Sequence, residues 1–102
     1  MSIQITIHVS GELHPDSALL VQKFALAMAG KLLRNQEKYG WLNEWNTRPW
    51  EDECRAGMME HIKKGDPMDV AIYAAFMWYR GWNTAISTNH ENQPDEALPD
   101  QF

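Results

Sequence analysis

The stretch from Pro67 to Tyr79 constrains this chain most, because eleven of its thirteen residues are apolar or aromatic. Asp66 stands where a helix N-cap belongs, Pro67 suits the first helical position, and Asp69 at N3 can reach back to the cap. Gly81 marks the end. A helix that is apolar all round is one that other elements surround, so this helix is expected at the centre of the core. Just upstream, Trp50 to Lys64 reads as another helix, and the break at Gly65-Asp66-Pro67 turns the two into a hairpin. Thr47 is the expected N-cap of that first helix, with Pro49 in its first turn and Glu51, Asp52 and Glu53 near the positive end of its dipole. Its buried seam is expected along Cys54, Met58 and Ile62, with Glu53, Gly57, Glu60 and Lys64 on another stripe.

Upstream, Ile3, Ile5, Ile7 and Val9 alternate with Gln4, Thr6 and His8. Period two with β-branched residues predicts a half-buried strand. It is the only strand signal in the chain, so it needs a partner, and a second copy of the chain is the favoured one. From Pro15 to about Lys38 the pattern is helical, capped by Asp16 or Ser17, with Val21, Phe24, Ala25, Met28 and Leu32 on one stripe and Gly40 as the terminator. Gly30 in that helix points to a close helix contact. Trp41 to Trp50 reads as a connector without a helix of its own. Past Thr84 periodicity is lost, and Asn89 to Phe102 reads as a disordered acidic tail. The expected architecture is mostly α: a three-helix core around the Pro67–Arg80 helix, one N-terminal strand, a single domain over residues 1–88 and a tail over 89–102.

The chain's 102 residues suffice for one core. A net charge of −5 argues against binding a nucleic-acid backbone, which needs a basic patch. With Cys54 as the single cysteine there is neither a disulfide nor a cysteine zinc site. No apolar run approaches the roughly 20 residues of a membrane span, and the N-terminus lacks the pattern of a signal peptide. A cytoplasmic protein is therefore expected.

Glu53, Glu60, Asp66 and Asp69 are the carboxylates that can do chemistry. Oxygen ligands on a helical hairpin can hold Mg²⁺, which keeps several waters and needs few protein ligands. The bland explanation is that Asp66 and Asp69 serve as caps, Glu53 serves the helix dipole, and Glu60 is simply solvated. His61 beside the seam reads as a core histidine, and Cys54 as a small core residue. Of the five tryptophans, Trp50 and Trp78 read as core. Trp41, Trp45 and Trp82 are open between core, base stacking and partner binding.

The segment Glu37-Lys38-Tyr39-Gly40-Trp41 and the stretch from Trp50 to Thr84 resemble small phage and prophage proteins that look MazG-like. That family comprises all-α nucleoside triphosphate pyrophosphohydrolases with an ExxE pair on one helix and an ExxD pair on the next. Asp66-Pro67-Met68-Asp69 matches ExxD with Asp in place of the first Glu. Glu53 takes one place in ExxE, but Ala56 stands three residues on, and Glu60 is the nearest substitute. The resemblance covers about half the chain. It implies Mg²⁺ held by Glu53, Glu60, Asp66 and Asp69, a nucleoside triphosphate substrate contacted by Lys64 and Tyr73, and a homodimer. The alternative reading is a non-catalytic phage protein that binds and modulates a host enzyme through its acidic, tryptophan-rich surface, with Trp41, Trp45 and Trp82 as contacts.

Overall fold

The computed structural model describes residues 4–85 and is mostly helical: α1 Pro15–Tyr39, α2 Glu44–Thr47, α3 Glu51–Lys64 and α4 Pro67–Arg80. The expected tail over 89–102 lies outside the described residues. The chain divides into two compact units, with the boundary between Asn43 and Glu44.

In the first unit, residues 4–10 are irregular rather than a strand, and Ile5 is 85% exposed. A strand is held by hydrogen bonds to a neighbour, and the described residues supply no second strand to make them. Alternating side chains alone do not satisfy that backbone. Helix α1 begins at Pro15, so its cap is the residue before it: His14 Nδ1 accepts from the Asp16 N–H at 3.0 Å. This corrects the expectation that Asp16 or Ser17 caps the helix. Gly40 ends α1 at φ 74°, its N–H bonded to the Gln36 carbonyl at 2.9 Å. The stripe Phe24, Ala25, Met28 and Leu32 is half-buried, Val21 is exposed, and no residue of α1 is fully buried. Among the described residues, a Cβ on Gly30 would meet only the Arg34 head group of the same helix, at 3.5 Å.

The second unit is built on the expected hairpin. Gly65 ends α3 in the left-handed region at φ 77°, a conformation that costs an L side chain energy and a glycine almost none. Around it the Gly65 N–H bonds to the Ile62 carbonyl at 3.1 Å and the Asp66 N–H to the His61 carbonyl at 3.1 Å, the paired bonds of a Schellman turn. Asp66 Oδ1 then caps α4 by accepting from the Asp69 N–H at 3.2 Å. Helix α4 ends in the same way at Gly81, where the Trp82 N–H reaches the Met77 carbonyl at 2.8 Å.

Cys54, Met58 and Met77 form the buried core, with Trp50, Tyr73, Phe76 and Trp82 packed against it. Ile62 is not part of the seam and is 49% exposed. The face of α3 toward α4 passes from Met58 to His61, three residues on, because successive contacts along a helix alternate between steps of three and four. Nor is α4 covered on every side: Trp78, expected in the core, is 82% exposed. Within this unit α3 and the short α2 pack against α4, and neither covers Trp78.

The connector does contain a helix, the single turn α2, which ends at Thr47. Helix α3 starts after Trp50, which makes no side-chain cap bond, so Thr47 is not its cap and Pro49 precedes it. Trp50 is there for packing. Its Nε1–H donates to the Trp45 carbonyl at 3.0 Å, and its ring lies against Tyr73, Phe76 and Trp82.

The tightest approach of α3 to α4 is at Gly57, where an added Cβ would fall 2.7 Å from the Tyr73 ring. That ring is held by Trp50, Phe76 and His61. Gly57→Ala is therefore expected to lower the stability of the fold by about 1–2 kcal/mol, the overpacking outweighing the gain in helix propensity. Urea unfolding followed by circular dichroism measures this. An unchanged or higher midpoint would mean that the ring swings aside freely.

Candidate functional site

The Schellman turn at Gly65 sets the geometry of the site. By bonding the Asp66 N–H to the His61 carbonyl, it brings the start of α4 back beside the last turn of α3. His61, Asp66 and Asp69 then converge, and one ligand atom from each lies within 4.8 Å of the others. Among the described residues this is the one group of three acidic, histidine or cysteine side chains that meet so closely.

His61 Nδ1 lies 3.4 Å from Asp69 Oδ2 and 3.8 Å from Asp66 Oδ2. The nitrogen is buried, and neither approach has hydrogen-bond geometry. The His61 side chain is 22% exposed and that of Asp69 16%. Both side chains are thus partly removed from water, where polar interactions are stronger than on an open surface. The His61 ring leans on Tyr73 at 5.4 Å between centroids. Burial raises the Tyr73 phenol above its ordinary pKa, with smaller contributions from Cys54 and Asp69, so the hydroxyl keeps its proton at neutral pH.

The carboxylates singled out in the sequence separate into two places. Asp66 and Asp69 meet at the turn, and neither Glu53 nor Glu60 belongs to that group. Glu60 is exposed, with Lys63 Nζ 3.9 Å from its Oε2. Glu53, about 10 Å from Glu60 along the helix, lines a shallow recess with Pro49, Asp52, Arg80 and Trp82. Lys64 is exposed in the last turn of α3. Tyr73 sits half-buried over Gly57.

The tryptophans divide as well. Trp45 stacks on Phe76 at 5.0 Å, and Trp82 packs edge-on to Trp50 beneath the Arg80 guanidinium. Both belong to the packing of the second unit. Trp41 is exposed in the first unit and stacked on Tyr39 at 4.4 Å.

His61 is the site residue that sequence reasoning assigned to the core. A signal for it was present: it stands four residues before Gly65, the position whose carbonyl a Schellman turn joins to the residue after the glycine. Set beside an acidic cap, that position carries a ligand-type side chain.

No known family profile matches the chain, and no curated protein or solved structure is significantly similar to it.

Cys54 is no nucleophile. It is fully buried, its Sγ 3.7 Å from the Tyr73 carbonyl, and burial pushes its pKa up to about 11 against the opposing pull of Arg55 and Arg80. A thiol reagent at pH 8 is expected to modify native protein at least about 100-fold more slowly than urea-unfolded protein, since both access and thiolate are lost. Equal rates would place Cys54 outside a stable core.

Proposed function

We propose that the α3–α4 turn holds a divalent cation and that the protein is a Mg²⁺-dependent nucleoside triphosphate pyrophosphohydrolase. The observation that carries the reading is the convergence of Asp66 and Asp69, with His61, at the start of α4. These two residues are also the ones that match the ExxD pair of the MazG-like resemblance. The donor set fits the ion: two carboxylates suffice for a cation that keeps most of its waters. Bound there, Mg²⁺ supplies charge for phosphate oxygens and lowers the pKa of a coordinated water.

The chain's own residues have defined parts in this reading. Asp69, part-buried, is a fixed oxygen donor, and Asp66 is held in orientation by its cap bond to the Asp69 N–H. Lys64, exposed one residue before the turn, offers a mobile positive charge to phosphate oxygens. The half-buried Tyr73 ring, beside His61, is an apolar surface for the rest of the substrate. Glu53 and Glu60 join only if the hairpin or a second copy brings them closer. The homodimer that goes with the reading accords with α1, an amphipathic helix of 25 residues that buries none of them fully.

Binding to a host protein without catalysis is the second reading. It is favoured by the neighbouring exposed rings of Trp78 and Tyr79 on α4. In that case the contact surface on the second unit is this pair, since Trp45 and Trp82 are engaged in packing, and Trp41 is a separate exposed ring of the first unit. No described helix is long and apolar enough to cross a membrane.

The deciding measurement is pyrophosphate release from a panel of nucleoside triphosphates with Mg²⁺. Release is expected, and Asp69→Asn should reduce it to background while leaving the melting temperature within a few degrees of the parent. Retained activity in that variant, or silence across the panel, would overturn the hydrolase and favour the binding protein.

A further inference from the structure

We propose that His61, Asp66 and Asp69 form a three-donor site for a borderline divalent cation of the Mn²⁺, Co²⁺ or Zn²⁺ kind, with His61 Nδ1 as the ligand that separates it from a Mg²⁺ site. The inference shares the turn with the hydrolase reading and names the metal class there, but it needs no nucleotide and stands or falls separately.

The first support is the state of His61. Its Nδ1 is buried, has no hydrogen-bond partner, and faces two carboxylate oxygens at 3.4 and 3.8 Å. A neutral imidazole turns either a lone pair or an N–H that way. The lone pair would be repelled by the carboxylates, and an N–H in this direction does not reach either oxygen in hydrogen-bond geometry. A cation among the three atoms gives the buried Nδ1 a partner and removes that repulsion.

The second support is spacing. Two ligands each about 2.1 Å from a tetrahedral ion lie about 3.4 Å apart. The His61–Asp69 separation is 3.4 Å, and the His61–Asp66 separation of 3.8 Å is close to it.

Orientation is the third. Asp66 Oδ1 accepts from the Asp69 N–H at 3.2 Å, while the ligating oxygen Oδ2 is the one toward His61. The His61 ring is set by Tyr73, which is in turn seated on Gly57. Ligands fixed from outside in this way characterise metal sites. The two carboxylates alone serve Mg²⁺, and the added nitrogen suits borderline ions better. Three protein donors also leave positions for water or a ligand oxygen.

The test uses the full chain and the metals alone. Titration with Mn²⁺ is expected to fill one site per chain, at least about tenfold tighter than Mg²⁺. Pulsed electron paramagnetic resonance of the Mn²⁺ complex should show the nitrogen coupling of a bound imidazole. His61→Gln should remove that coupling and weaken Mn²⁺ by about tenfold or more, with Mg²⁺ affinity unchanged and the helical circular dichroism retained. Asp69→Asn should weaken both ions. Absence of nitrogen coupling in the parent protein overturns the proposal whether or not the variants fold, and coupling that persists in His61→Gln assigns the ion to another histidine and overturns it too. Imidazole-coupled Mn²⁺ without pyrophosphate release would sink the hydrolase and keep this site. Release with Mg²⁺ from a protein lacking that coupling would do the reverse.

Discussion

The chain reversal at Gly65 is the constraint on which the second unit rests. Two backbone bonds, from Gly65 to Ile62 and from Asp66 to His61, close the end of α3 and aim α4 back along it. Only a residue at ease with φ near 77° can stand between them. Everything that α3 and α4 share follows from this direction: the Cys54–Met58–Met77 core, the seating of Tyr73 on Gly57, and the meeting of His61 with the aspartates that open α4. A different exit angle would leave the same residues on two helices that no longer face each other.

The hairpin is closed at its other end by arginines that bind backbone carbonyls. Arg80 Nη1 donates to the carbonyls of Trp45 at 2.7 Å and Arg48 at 3.0 Å, and the guanidinium lies over Trp82. The Trp45 carbonyl also accepts from the Trp50 indole. Arg55 reaches from α3 to the Asn83 carbonyl at 2.8 Å while paired with Glu51 and Asp52. A planar head with several donors can hold chain segments that have no regular structure of their own, and charged donors make these among the stronger hydrogen bonds of a fold. So the connector before α3 and the segment after α4 are both tied to the helices by charge-assisted bonds, while the aromatic rings fill the space that Ala74 and its neighbours leave.

The two ends of the hairpin therefore differ in character. At the Arg80 end the polar groups are spent on architecture: Glu51 and Asp52 pair with Arg55, and Arg80 is bonded twice. At the turn, His61 Nδ1 is left without a hydrogen bond beside two carboxylates in a partly buried place. Buried polar atoms are nearly always satisfied, so an exception calls for a cause. That contrast is why the proposed metal site is the turn rather than the recess lined by Glu53.

The starts of α1 and α4 and the ends of α1, α3 and α4 were legible in the sequence because their signals are local, whereas the single turn α2 and the start of α3 were not. Pro15 and Pro67 begin helices, Gly40, Gly65 and Gly81 end them, and Asp66 and Asp69 lie on one cap because they are three residues apart. Periodicity likewise marked Cys54 and Met58 as buried. What needs a partner elsewhere in the chain was not legible. The alternation of Ile5, Ile7 and Val9 is real, but a strand forms only against another backbone. Trp78 is as apolar as Met77, yet one is exposed and the other buried, since that depends on which side of α4 the neighbouring helix covers. The sequence by itself determined where α1 and α4 start, where α1, α3 and α4 stop, and that two aspartates open α4. Only the tertiary structure decided that His61 rather than Glu53 or Glu60 meets them, because convergence is set by the path of the chain through the Gly65 turn and not by spacing along it.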